Sequence, residues 1–263
     1  MFRMEVSKSI DCTIEAYTLL GCRVKLAECP SVEEVHVIGR SKGKKIVLDQ
    51  DYVVERMTIG GRDFTQKQPT GSFSQPNGLV CRHMVGWAHA ATLDSPGDLL
   101  ELYCGNGNFT IPLARNFRRV VATELCKAST AAARDNIVAN DVDNILVARM
   151  SSEEFVEAWQ ARAEKVRLTG LDWATLDVRT LLVDPPRSGL DPATEALMAT
   201  FERVVYVSCN PETLHANLQR VKESHRIERF AVFDQFPFTH HVECGAYLVK
   251  RDSAADPVEV SAP

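Results

Sequence analysis

The stretch "LLELYCGNGNFT", from Leu99 to Thr110, decides how the rest of this chain is read. An apolar run ends at Gly105 and Gly107 and a helix-compatible segment follows, so bare backbone can approach a ligand beyond the carboxyl end of a strand. A G-x-G by itself also makes an ordinary structural turn. The phosphate-binding pattern is incomplete, because Thr110 stands where a third glycine would be.

Outward from that turn, short β-branched runs alternate with helical stretches, the pattern of a parallel sheet covered on both faces. Strands are expected at Leu99–Tyr103, Val120–Glu124, Asn144–Arg149, Thr180–Asp184 and Arg203–Cys209. Two more are expected near Arg226–Phe233 and Val242–Lys250. Only "DQFPFTHH" joins this pair, too short for a helical crossover, so the two are antiparallel neighbours. "CKASTAAARDNIVAN" has helical composition, a helix is expected from about Pro76 to Leu93, and others start near Asp191 and Pro211. The fold class is therefore α/β, a Rossmann-like class I S-adenosylmethionine-dependent methyltransferase domain with an antiparallel last strand. Residues 76–251 make that domain. Residues 1–75, with shorter runs such as "EVHVIGR" broken by Gly, Pro and charge, read as a small incomplete α+β subdomain. The tail 252–263, "DSAADPVEVSAP", has the composition of a disordered end.

Glu124 closes the second expected strand about twenty residues after the glycines, where a carboxylate can accept hydrogen bonds from both ribose hydroxyls. With the pyrophosphate pattern incomplete, this favours a nucleoside cofactor such as S-adenosylmethionine over NAD. "LLVDPPRSGLD" puts Asp184 and two prolines in a rigid corner at the next strand end, although a plain turn before a helix at Asp191 is the alternative. Arg187 occupies the place where an aromatic residue would suggest methylation of an exocyclic amine.

"VVYVSCNP", residues 204–211, brings Cys209 to the same edge of the sheet. A free cysteine is commonly a small buried hydrophobe. At a strand's carboxyl end it can instead be a nucleophile, and carbon 5 of uracil is too poor a nucleophile to be methylated without prior addition of a thiolate at carbon 6. Asn210 and the amides of the following helix are candidates to stabilise the anion. The proton at carbon 5 must then be removed, and Glu243 in "THHVECGAYL" is the candidate base. Alone, Glu243 would be a solvated charge; its pairing with Cys209 raises it.

Thirty Lys plus Arg against 35 Asp plus Glu give a formal net charge of -5, so an RNA partner must meet a local basic patch. "GRSKGKK", Gly39 to Lys45, and "RNFRR", Arg115 to Arg119, are the candidates, with solvated surface as the alternative. The eight cysteines form no C-x-x-C pair and no zinc-like spacing, so neither metal nor a disulfide framework is expected. No secretory signal and no membrane-length run is read, so a soluble protein of a reducing compartment, the cytoplasm by default, is expected.

"HVIGRS", "LDQDYVVER", "FSQPN", "LLELYCGNGNFT", "VDPPRSGLD", "VSCNPETL" and "FDQFPFTHHVECG" together resemble the tRNA (uracil-5-)-methyltransferase family, in order and at matching spacing, over roughly His36 to Arg251. The resemblance implies methylation of carbon 5 of the T-loop uridine of tRNA, uridine 54, giving ribothymidine through a covalent bond from Cys209 to carbon 6. It implies Cys209 as nucleophile and Glu243 as proton acceptor, with Gln75, Tyr103, Asn108, Glu124 and Asp184 at S-adenosylmethionine and active-site positions beside Gly105 and Gly107. The implied partner is the T-arm of tRNA, and a monomer without membrane contact is expected. Some relatives that methylate ribosomal RNA carry an iron-sulfur cluster; Cys12, Cys22 and Cys29 lack the spacing for one, so none is expected. Full-length members have an N-terminal portion that helps grip tRNA, and residues 1–34 match poorly, so an N-terminally truncated member is expected. Two alternatives stay open: methylation of ribosomal RNA, and tRNA binding without catalysis.

Overall fold

The structure, a computed structural model, describes residues 3–4, 38–41, 44–47 and 50–251. The chain divides into two compact units, Met1–Glu55 with Lys67–Ser72, and Arg56–Gln66 with Phe73–Pro263. In the first, β1 (Arg3–Met4), β2 (Ile38–Ser41) and β3 (Lys44–Val47) form an antiparallel sheet in that order. β4 (Tyr52–Ile59) and β5 (Arg62–Pro69) make a hairpin whose tip belongs to the second unit. Its turn, Gly60–Gly61, has φ of 58° and 79°, the left-handed pair that a tight hairpin turn requires. The expected disordered tail, 252–263, and Cys12, Cys22 and Cys29 lie outside the described residues, as do the side chains of the Gly39–Lys45 patch.

The second unit is built on β6 (Asp98–Leu102), β7 (Val120–Thr123), β8 (Ile145–Ala148), β9 (Val178–Val183), β10 (Arg203–Ser208), β11 (His225–Phe233) and β12 (Glu243–Lys250). They form one sheet in the order β11-β12-β10-β9-β6-β7-β8. β6 to β10 are parallel, and β12 runs antiparallel to both β10 and β11. The expected α/β architecture with an antiparallel last pair is the observed one. Four expected strands, ending at Tyr103, Glu124, Asp184 and Cys209, stop one residue earlier, so each of these residues stands just past the ladder.

The two faces of the sheet follow from the period of two. Leu99, Val120, Ala122, Leu182, Val205 and Val207 pack into one core with Met57, Ile59 and Phe64 of the hairpin tip. Leu100, Val121, Leu181, Val183, Val204 and Tyr206 pack into the other. The helices are α1 (Gly78–Ala91), α2 (Thr110–Leu113), α3 (Lys127–Ala139), α4 (Ser152–Ala161), α5 (Pro192–Met198) and α6 (Pro211–Val221). Their starts are written in the sequence. Asn77 caps α1, Ser151 and Glu154 form a capping box on α4, and Asp191 and Asn210 cap α5 and α6 with proline as the first helical residue.

The "RNFRR" segment belongs to the fold at the strands' amino ends. Arg118 donates to both carboxylate oxygens of buried Asp98, at 2.8 and 2.6 Å, and Arg119 donates to Thr175 Oγ1 at 2.9 Å. Burial alone would raise the Asp98 carboxyl; Arg118 and the Asp177 N–H outweigh it and hold the group below its ordinary range.

Candidate active site

The opposite edge of the sheet collects the chemistry. Tyr103 to Gly107 follow β6, Glu124 follows β7, Asp184 follows β9, Cys209 follows β10, and Glu243 opens the antiparallel β12 at the same edge. The turn after β6 is held in left-handed backbone, with φ of 64° at Tyr103, 58° at Gly105 and 90° at Gly107. A Cβ at Gly107 would press on Ile111 Cδ1 at 2.9 Å, whereas one at Gly105 would meet nothing within 4 Å. Gly107 is thus required by packing, and Gly105 leaves open space at the strand end.

Glu124 is fixed to this turn. Its Oε2 accepts from the Gly105 N–H at 3.0 Å and its Oε1 from the Cys126 N–H at 2.6 Å. The Tyr103 hydroxyl lies 2.8 Å from Ser152 Oγ and 3.2 Å from Asp191 Oδ2. Asp191 also accepts from the Ala193 and Thr194 amides and from Thr194 Oγ1. Tyr103, Glu124, Met150, Ser152, Gly189 and Asp191 line a cleft of about 540 Å³, within the usual range for small-molecule sites. Carboxylates of Glu124, Glu153 and Asp191 face it, and no lysine or arginine is among the described residues lining it. Ser152 and Asp191 were not expected here. Asp191 was legible only as a helix cap, a role it performs as well.

Cys209 and Glu243 are brought together by the sheet. Ser208 pairs with Cys244 across β10 and β12, so the next step of the register sets Cys209 opposite Glu243. Glu243 is buried, its Oε2 has no hydrogen-bond partner, and burial pushes its carboxyl up to about 7. Asp184 is pushed up to about 8, first by burial and then by the Glu243 charge. Partly exposed Cys209 is raised by burial and by both carboxylates, while Arg187 pulls it down, so it rests as a thiol near neutrality. A further acid escaped the sequence reading. Glu101 on β6 is buried, and desolvation pushes it up to about 8.

The remaining expected residues make hydrogen bonds within the protein. Asn108 Oδ1 accepts from Cys81 Sγ at 3.4 Å, on the side of α1. Gln75 Oε1 accepts from Gln235 Nε2 at 2.8 Å, a contact across 160 positions that the sequence gave no sign of. Asn210 caps α6 by accepting from the Glu212 N–H, and donates to the Arg187 carbonyl at 3.1 Å. Its side chain thereby ties the Cys209 loop to the Asp184–Gly189 loop.

The tRNA (Uracil-5-)-methyltransferase family matches residues 24–251. The chain belongs to this family. Among family relatives, the tRNA/tmRNA (uracil-C(5))-methyltransferase of Yersinia enterocolitica is 52% identical over 219 residues, covering 83% of this chain and 60% of the relative. That of Neisseria gonorrhoeae is 53% identical over 220 residues, covering 83% and 61%. The chain therefore spans about 60% of the length of these curated relatives. A solved tRNA (uracil-54, C5)-methyltransferase from Pyrococcus abyssi, in complex with S-adenosyl-L-homocysteine, matches with a TM-score of 0.59 at 28% identity, over 80% of this chain and 49% of that one. A putative SAM-dependent methyltransferase from Streptococcus mutans matches at TM-score 0.58 and 12% identity over 78% of this chain and 58% of that one, a likeness of fold. The second unit thus has the Rossmann-like methyltransferase fold.

Proposed function

We propose that this chain methylates carbon 5 of uridine in tRNA, at position 54 of the T-loop, using S-adenosylmethionine and a covalent bond between Cys209 and carbon 6. The observation that carries this reading is the register of β10 and β12, whose last pair, Ser208–Cys244, leaves a partly exposed thiol, Cys209, within reach of the charge of a buried carboxylate, Glu243, that has an unpartnered oxygen.

The cleft fits the cofactor. Glu124, anchored by the Gly105 and Cys126 amides, keeps acceptor capacity for ribose hydroxyls. Open space at Gly105 admits close approach. A lining with three carboxylates and no cation suits a positively charged nucleoside and opposes a pyrophosphate. When bound, S-adenosylmethionine supplies an electrophilic methyl group on its sulfonium.

The chain's own residues do the rest. As Cys209 Sγ adds to carbon 6, its proton leaves to water on the exposed side, a loss that Arg187 favours. The electron pair of the C5–C6 bond moves onto carbon 5 and the adjoining carbonyl, making carbon 5 nucleophilic. Once carbon 5 carries the methyl group, the Glu243 carboxylate takes its proton, the C5–C6 double bond re-forms, the C6–S bond breaks and Cys209 leaves as thiolate. A base at about 7 can hold that proton and release it near neutrality.

The test is incubation of the chain with labelled S-adenosylmethionine and unmodified tRNA, followed by nuclease mapping of the label. Label as 5-methyluridine at position 54 is expected, with none from Cys209→Ala. Product from the alanine variant would overturn the mechanism.

A further inference from the structure

Among the buried oxygens without a partner in the protein are Glu243 Oε2, which the reading above uses, and Gln235 Oε1, which it does not. Gln235 follows the end of β11. Phe233 pairs with Glu243 across β11 and β12, and the Gln235 N–H turns back to the Phe233 carbonyl at 3.0 Å. After this tight turn the Gln235 side chain is buried, at 1% exposure, two residues past the strand partner of Glu243. Its Nε2 is held by Gln75 Oε1 at 2.8 Å. With that bond holding Nε2, Oε1 is left as an acceptor without a partner in the protein. Buried amide oxygens in proteins are nearly all satisfied, and one kept unsatisfied two residues past the strand partner of Glu243 calls for a donor from outside.

Uracil carries such a donor. Its N3–H lies between two carbonyl oxygens, whereas cytosine presents a lone pair at the same nitrogen. We propose that Gln235, oriented by Gln75, accepts the N3–H of the target base and is the residue that selects uridine over cytidine. The inference rests on the reading that a pyrimidine enters beside Cys209. Against uridine the amide oxygen gains its missing bond. Against cytidine it meets a second acceptor in a desolvated site, which is rejection by repulsion as well as by loss.

The experiment uses the whole chain and two T-arm stem-loops differing only in uridine or cytidine at the target position. Gln235→Leu keeps the side chain's bulk and removes the acceptor. Expected are a fall in kcat/KM for the uridine loop of about 10- to 100-fold, near-equal treatment of the two loops, and affinity for S-adenosylhomocysteine within about two-fold of wild type. Gln75→Leu, which frees the amide to rotate, should raise the cytidine-to-uridine ratio. A Gln235→Leu chain that keeps wild-type kcat/KM and wild-type discrimination overturns the proposal. Competition binding of the two loops separates this failure from that of the proposed function. If wild type makes no 5-methyluridine yet prefers the uridine loop, and Gln235→Leu does not, the base-reading role stands and the catalytic reading falls. Equal binding of both loops by such an inactive wild type overturns the role of Gln235 as well.

Discussion

The two ends of the same sheet treat acidic side chains in opposite ways. At the amino ends, Asp98 is buried yet fully matched, by two bonds from Arg118 and one from the Asp177 amide, and its carboxyl is held low. At the carboxyl ends, burial pushes Glu101, Asp184 and Glu243 up toward neutrality, and Glu101 and Glu243 each keep an oxygen without a hydrogen-bond partner. One end spends its polar groups on the fold. The other leaves buried carboxylates partly unmatched, at a cost to stability.

The comparison can be broken most decisively at Glu243. Glu243→Gln should lower multiple-turnover methylation by about 100-fold or more and leave methylated RNA attached to Cys209, visible as a slow band on a denaturing gel. Rapid product release by this variant would remove Glu243 as the base. The mirror-image substitution is Arg118→Ala, which strands a buried carboxylate and should lower the midpoint of urea unfolding. Turnover per folded molecule should stay at the wild-type level, and a loss of chemistry there would mean that the two ends are not separate.

pH should separate the ends by sign. Asp98 has a lowered carboxyl, so its contribution is present above its ordinary pKa and is lost as pH falls. Glu101 is raised from 4.5 to about 8, so its contribution is complete below 4.5 and is lost as pH rises through about 8. Glu101→Gln, neutral at every pH, should reduce the fall in Tm between mildly acidic and alkaline buffer by roughly 5 °C. An unchanged slope in differential scanning calorimetry would mean that Glu101 does not ionise in that window.

The smallest effect sharpens the contrast at two glycines. A Cβ at Gly97, φ 77°, would collide with the Asp177 carbonyl, while one at Gly105, φ 58°, enters open space. Gly105→Ala should cost only about 1 kcal/mol, from the left-handed backbone, yet weaken S-adenosylhomocysteine binding in calorimetric titration. Gly97→Ala should do the reverse, lowering stability and sparing affinity.

Much of this architecture can be read from residue order. Strand runs follow from apolar periodicity, and helix starts are read near Pro76, Asp191 and Pro211, whereas the helix Ser152–Ala161 behind its Ser151 capping box is not. The pairing of Cys209 with Glu243 was legible because both sit at the ends of recognisable strands. The strand ends differ by one residue because the ladder stops where the chain must turn to present a side chain, as the left-handed Tyr103 shows. Three features were hidden. "LLEL" gives no sign that Glu101 is wholly desolvated, since that depends on what packs against β6. "RNFRR" looks like a nucleic-acid patch until Asp98 is seen to claim Arg118. The amide pair of Gln75 and Gln235 joins segments whose proximity exists only after the sheet has closed.

The position of β12 has a consequence for how the protein is made. This strand follows all the other described strands in chain order, yet it lies between β10 and β11. Until it is synthesised, β10 presents an unprotected edge of Val204, Val205, Tyr206 and Val207, a segment prone to pairing with other chains. The thiol of Cys209 meanwhile faces no Glu243. Insertion of one late strand covers the edge and brings Glu243 to the end of β10 in the same event.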